Sequence, residues 1–250
     1  MEGEMFQWNG FQGVTFQFEG LPARIIFPNA TQNGRWALKT EYADAFPETE
    51  IELLKRGWCV AFNQNHHRWA SDEDVQRKAR FIDFISEKFS LDKKCAIVGM
   101  SCGGMYGIKV AAVCPEKIQV LYLDAPVVNL LSCPLAFGDS KVSLYEEFHK
   151  FTGKTISEML SYREHPLDKI PILAEHNIPV VLVAGDSDET VPYHENGALL
   201  ESYYKQRGIK IAVHIKKGCG HHPHGLDTPT VLADEIEDSY VFEKEGKNGE

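Results

Sequence analysis

Between Val14 and Phe18 apolar and polar positions alternate. Val14, Phe16 and Phe18 fall on one side and Thr15 and Gln17 on the other, the period of a half-buried strand. ARIIFP follows as a second strand, and the Gly20-Leu21-Pro22 turn between them predicts an antiparallel hairpin. Strand-like and helix-like stretches then alternate. WALK is a short strand, and ETEIELLKRG is a helix closing at Gly57, a favoured C-terminal cap. WCVAFN is a strand. Ser71-Asp72-Glu73-Asp74 matches a capping box, and Val75, Ala79, Ile82, Ile85 and Phe89 recur behind it at helical spacing. CAIVGM, VLYLDAP and PVVLVAGD are unbroken apolar runs, the mark of strands buried on both faces. A helix of small residues follows CAIVGM and stops at Cys114-Pro115. IAVHIKKG is the last strand. Thr228-Pro229 opens a final helix with proline in its first turn, and the tail EKEGKNGE is expected to fray.

This alternation predicts an α/β architecture: a mostly parallel central sheet covered by helices on both faces, with the N-terminal antiparallel hairpin at its edge. From about 129 to 177 the rhythm breaks, with Pro134, Gly138, Gly153 and Pro166 among short helical fragments. That span is expected as a small cap-like insertion rather than a second domain, so residues 1–250 form one domain, long enough for a substantial core.

A net charge of −10 argues against nucleic-acid or anionic-membrane partners, which it would repel. The six cysteines are scattered, without the close pairs of a zinc ribbon or redox dithiol. MEGEMFQWNG lacks a leader pattern, and no apolar run approaches the ~20 residues of a membrane span. The expectation is a reduced, cytoplasmic protein without a cofactor. Phe6, Trp8 and Phe11 are expected as core or as the contact of a homodimer.

Gly99-Met100-Ser101-Cys102-Gly103 has the form G-x-S-x-G. Alone, such a pentapeptide arises by chance roughly once in ten chains of this length. Its setting, after a buried strand and before a helix, gives it a mechanism: a sharp turn lifts the serine oxygen above the sheet. Gly103, Gly104, Gly107 and Ala111 let the helix approach its neighbours closely, and the Cys102 side chain is expected to pack beneath it. A serine hydroxyl needs a base. The loop Gly218-Cys219-Gly220-His221-His222-Pro223-His224-Gly225 offers His221 first and His222 second, with His224 as a loop support. These three histidines, with His66 or His67, also suggest a metal site, but no carboxylate or thiolate pattern accompanies them, and no metal is expected. The base needs a carboxylate. Beyond PVVLVAG, Asp188 is the choice and Asp186 a loop cap; Asp124, ending VLYLD, is either a rival acid or a support for the site floor. The order Ser101, Asp188, His221 is the one that hydrolases of this architecture use.

On GMSCGG, AGDSDETVP and GCGHHPHGL the chain resembles the α/β-hydrolase superfamily, most closely its prolyl-oligopeptidase-like and esterase-like bacterial serine hydrolases, from about Trp36 to Val241. The resemblance implies Asp188 as the triad acid and His221 as the base. DAPVVNLLSCP further resembles bacterial hydrolases found beside carbohydrate-degrading genes, which implies acyl groups on sugars. Where such relatives carry His-Gly after the third strand, this chain has Ala37-Leu38-Lys39-Thr40-Glu41-Tyr42. The oxyanion donors expected are the backbone N–H of Cys102 and of Thr40 or Glu41. The function expected is hydrolysis of a small-molecule acyl ester through a Ser-His-Asp triad and an acyl-enzyme. A serine peptidase is the alternative, and a non-catalytic binding protein on the same fold is the third reading. His66-His67-Arg68-Trp69 is expected either at the site entrance or as a solvated loop with a packed Trp69. Phe137, Tyr145, Phe148, Phe151 and Tyr162 of the insertion are expected mainly as core.

Overall fold

Nine strands form one sheet in the computed structural model, which describes residues 3–246. They are β1 (Glu4–Trp8), β2 (Phe11–Phe18), β3 (Leu21–Ile26), β4 (Trp36–Lys39), β5 (Cys59–Asn63), β6 (Cys95–Met100), β7 (Ile118–Asp124), β8 (Val180–Gly185) and β9 (Ile211–Lys216). The spatial order is β1-β2-β3-β5-β4-β6-β7-β8-β9. The first three strands and the β3–β5 pair are antiparallel; from β5 through β9 every pair is parallel. This is the mostly parallel α/β sheet with an antiparallel edge that the alternation of elements predicted, and it agrees with the α/β-hydrolase fold that the resemblance implied. The antiparallel edge has three strands rather than two, because Phe6 and Trp8 extend the alternation before the turn at Asn9-Gly10. Trp8 and Phe11 are buried with Ile26, Leu54 and Val60, so they belong to the chain's own core.

Eight helices flank the sheet: α1 (Glu48–Lys55), α2 (Asp72–Lys88), α3 (Cys102–Val113), α4 (Tyr145–Thr152), α5 (Ile156–Ser161), α6 (Pro166–Glu175), α7 (Gly197–Gln206) and α8 (Pro229–Gly246). Every residue of β6, β7 and β8 is buried, as the unbroken apolar runs require. Cys95 and Ile97 of β6 face the core under α2, α3, α6 and α7, while Ala96, Val98 and Met100 face the one under α1 and α8. The helix α7 carries no strong signal in the sequence, since it begins on Gly197 without a side-chain cap.

Three details depart from expectation. Ser71 caps α2 by accepting from Asp74 N, but the Asp74 carboxylate turns away to His66 and Arg77, so only half of the capping box forms. Within the span 129–177, α6 packs on α3 and carries the chain across to β8, so the part lying over the sheet edge is the stretch up to α5. The expected frayed tail is partly helical: α8 runs to Gly246, and residues 247–250 lie outside the described residues. Among the described residues no helix is long and apolar enough to cross a membrane.

Candidate active site

Ser101 sits between β6 and α3 with φ 52° and ψ −118°, a left-handed conformation that a non-glycine residue adopts only when its surroundings impose it. The imposing contacts come from the end of β7: Ser101 N donates to Asp124 O at 2.9 Å, and Val127 N donates to Ser101 O at 3.0 Å. The turn is so tight that a Cβ on Gly99 would lie 2.6 Å from Gly103 O, and one on Gly104 would lie 2.5 Å from Pro126 Cβ. Both glycines are steric requirements of the elbow.

Above Ser101 stands His221, from the loop after β9. Its Nε2 is 3.1 Å from Ser101 Oγ, and its Nδ1 is 2.7 Å from Asp188 Oδ2. With Nδ1–H donating to the carboxylate, Nε2 keeps its lone pair for the serine hydroxyl. Asp188, in the loop after β8, is only 6% exposed. Its other oxygen, Oδ1, accepts from Thr190 N and Val191 N, both at 2.8 Å. Burial alone would raise the Asp188 carboxyl. The hydrogen bond and charge of His221 with the two backbone donors outweigh it and hold the group below the usual carboxylate range. Asp186 caps the neighbouring turn: its Oδ1 accepts from Gly218 N at 2.7 Å, tying the β8 loop to the base loop. The structure thus brings Ser101, His221 and Asp188 into one hydrogen-bonded chain.

The other histidines separate cleanly. His222 is exposed, and its ring stacks on Phe46 at 5.5 Å, with no hydrogen bond to Ser101. His224 is buried and donates from Nδ1 to Asp124 Oδ1 at 2.7 Å. Asp124 Oδ2 accepts from Gly225 N at 2.6 Å and from the Tyr122 hydroxyl at 3.1 Å. Asp124 is therefore the floor of the base loop and not the partner of His221. His66 is bonded to Asp74, and the His67 ring lies against Phe151, so neither joins the His221–His222–His224 group.

Cys102 opens α3, where its N–H has no intrahelical carbonyl to reach, the position expected of an oxyanion donor. Of the two candidates for a second donor, Thr40 is corrected by the structure. Its N–H continues the sheet ladder to Val98 O at 3.1 Å, and its hydroxyl donates to Gly103 O at 2.7 Å, so the residue holds α3 against β4 and has no N–H to spare. Glu41 remains: its backbone nitrogen is 3.5 Å from where a Cβ on Gly103 would stand, beside the first turn of α3. Asn65 Nδ2 fixes this corner by donating to Thr40 O at 2.9 Å and to the Glu41 carboxylate. The Cys102 thiol is buried, which pushes its pKa up to about 11 against the lowering by Tyr42 and Arg68, so it is a neutral packing group.

Ser101 and His221 open into a cavity of about 330 Å³. Phe46 and Met100 line it, and the excursion over the sheet supplies Cys133, Val142 and Leu144. Among the described residues no carboxylate lines it. Arg68 does, but its guanidinium is paired with Glu147 of α4 (Nε to Oε1 2.8 Å) and interacts with the Tyr42 hydroxyl. None of the five aromatic residues singled out in the insertion lines this cavity. Phe148, Phe151 and Tyr162 instead border a second one of about 230 Å³, between α4–α5 and the start of α2. Tyr42, Phe46, Val142 and Leu144 were not legible from sequence, because they come from irregular segments without periodicity. Arg68 had a signal, its position just past the end of β5, where such sheets gather functional groups.

Residues 60–248 match the Prolyl oligopeptidase family. Among solved structures, the chain is similar to the acylaminoacyl peptidase of Pyrococcus horikoshii (TM-score 0.67, 14% identity), covering 95% of this chain and 42% of that one. It is also similar to dipeptidyl peptidase 4 of Porphyromonas gingivalis (TM-score 0.66, 16% identity), covering 94% of this chain and 36% of that one. The chain therefore spans less than half the length of either, and at these identities the likeness is one of fold.

Proposed function

The chain belongs to the prolyl oligopeptidase family of serine hydrolases, and from that premise we propose that it cleaves short peptides whose amino end carries no charge, with Ser101 as nucleophile. The hydrogen-bonded line Ser101 Oγ–His221–Asp188, open to one apolar cavity, carries this reading. Ser101 Oγ attacks the scissile carbonyl carbon while its proton passes to His221 Nε2. Asp188, ionised, orients the imidazole and offsets the positive charge that forms on it. The oxyanion is held by the Cys102 N–H, with Glu41 N–H as the second donor. When the tetrahedral intermediate collapses, the C–N bond breaks and the proton on Nε2 goes to the departing amine. Water then gives a proton to Nε2 and adds to the acyl carbon, and the C–Oγ bond breaks as Ser101 recovers its proton.

Family membership and the two peptidase-like structures favour peptide over ester, reversing the preference drawn from sequence. A free α-ammonium would need a carboxylate in the cavity, and among the described residues none lines it; a blocked terminus needs none. One observation supports the ester as a second reading. The wall of Met100, Val142 and Leu144 suits a short acyl chain whatever group leaves. The test is a panel of N-acetyl-alanine p-nitroanilide, its free-amine counterpart and p-nitrophenyl acetate, with wild type and Ser101→Ala. The peptide reading expects the blocked anilide to be cleaved faster than the free one. Cleavage of the acetate alone selects the ester, and equal rates in Ser101→Ala overturn both.

A further inference from the structure

We propose that His221, His222 and His224 form a zinc-binding site that switches the hydrolase off. One ligand nitrogen from each of the three imidazoles lies within 4.8 Å of the others. Two of these rings already have the supporting arrangement of metal ligands. His221 donates Nδ1–H to Asp188 at 2.7 Å, and His224 donates Nδ1–H to Asp124 at 2.7 Å. Both carboxylates fix their ring and leave Nε2 as the coordinating atom, the carboxylate–histidine pattern found behind zinc ligands. The third ring, His222, is held flat against Phe46 at an interplanar angle of 11°. The three histidines all border the 330 Å³ cavity, so an ion arriving from solvent has room for itself and for a water as fourth ligand. Three imidazoles with no oxygen donor select zinc over calcium or magnesium. Two carboxylates one bond further out balance its charge.

A second grouping, Asp139, His194 and Glu195, lacks this construction. Its members are spent on one another and on Ser132, with His194 Nε2 2.9 Å from Asp139 Oδ2 and Ser132 donating to Glu195 at 2.6 Å.

The consequence follows from one atom. His221 Nε2 is both the ligand and the acceptor of the Ser101 proton. A zinc ion on that lone pair displaces the serine hydroxyl, and the base cannot act until the ion leaves. Zinc is thus a reversible inhibitor and takes no part in the reaction.

Binding is measured first without any catalysis, by equilibrium dialysis of zinc chloride against the full chain carrying Ser101→Ala. The expected result is one zinc per chain, with cobalt giving the visible bands of a histidine-ligated ion. His222→Gln, exposed and therefore tolerated by the fold, weakens binding by at least about 10-fold; His222→Asn is the second variant should the first lower the melting temperature. No binding, or binding that neither His222 variant weakens, overturns the site. The inhibition arm rests on the hydrolase reading. Wild type loses turnover of the substrates above in step with zinc occupancy and recovers with EDTA, and each variant is compared with its own zinc-free rate. Occupancy without loss of turnover overturns the switch. A chain that binds zinc but hydrolyses nothing in its absence keeps the site and removes the proposed function instead.

Discussion

Asp124 and His224, 100 positions apart in the chain, meet at 2.7 Å with both side chains out of water. This second carboxylate–histidine pair adjoins the first through its ring. The edge of the His224 ring meets the His221 ring at a centroid distance of 5.1 Å. Asp124 also receives Gly225 N, so one carboxylate pins the far end of the short segment that follows the base, at His224 and Gly225. Replacing it with asparagine keeps the shape and turns one acceptor into a donor facing a donor. The unpaired group costs about 1–3 kcal/mol, and the looser base loop lowers kcat by up to about 10²-fold. Measurement of kcat and KM for Asp124→Asn alongside its melting temperature separates the two effects. A lowered melting temperature with unchanged kcat would make Asp124 structural only.

The sequence was readable where chemistry and periodicity coincide. Ser101 and Asp188 fall just past the ends of buried apolar runs, and His221 lies in the loop after the half-buried edge strand β9; a parallel sheet delivers those ends to one edge. That is why three residues spread over 120 positions could be named together. Thr40 was misassigned as a free donor because the end of β4 cannot be seen in a four-residue strand: the ladder extends one hydrogen bond further, to Val98 O. The Asp124–His224 pair stayed half-hidden for a different reason. A polar group at a strand end reads the same whether it is the acid or the floor, and only the loop's path decides which histidine it meets. The cavity wall was not legible at all, since Phe46, Val142 and Leu144 occupy irregular segments whose packing is set by distant contacts.

The lowered pKa of Asp188 carries a pH signature. The folded carboxyl binds its proton less tightly than the unfolded one, so its stabilisation is fully present above the ordinary aspartate range near ~3.9 and is lost as pH falls through the lowered folded value. Asp188→Asn has no such titration. It should be less stable than wild type by about 1–3 kcal/mol at pH 7, with the gap narrowing as the solution is taken down towards pH ~2. Urea unfolding of both chains across that interval tests the assignment. A gap that stays constant would mean that the loss arises from packing and not from the charge.

Burial keeps five of the six cysteines inert. Cys102 is pushed up to about 11 and Cys59 to about 12, and both are shielded from solvent; Cys219 alone of the six is partly exposed. A thiol-specific disulfide reagent at pH ~8 should therefore label one thiol rapidly in the native chain and six after denaturation. In Cys219→Ser the rapid phase disappears, and iodoacetamide leaves that variant's own hydrolytic rate unchanged. Inactivation of Cys219→Ser by iodoacetamide would show that Cys102 is reachable as a thiolate next to Ser101.

Leu144, just before α4, borders the cavity, and its carbonyl anchors the first turn of that helix by accepting from Phe148 N at 3.0 Å. Leu144→Ala removes cavity wall and leaves that backbone bond in place. If the cavity holds the acyl part of the substrate, the variant should accept longer chains. Each further methylene that finds apolar wall is worth about 0.8 kcal/mol, roughly a 4-fold gain in kcat/KM. A series of acyl p-nitrophenyl esters and acyl-alanine anilides of increasing chain length measures the optimum in both chains. It should move to longer acyl groups by one or two carbons in Leu144→Ala. An optimum that moves only with the leaving group would instead put the cavity on the other side of the scissile bond, with the acyl part directed towards solvent.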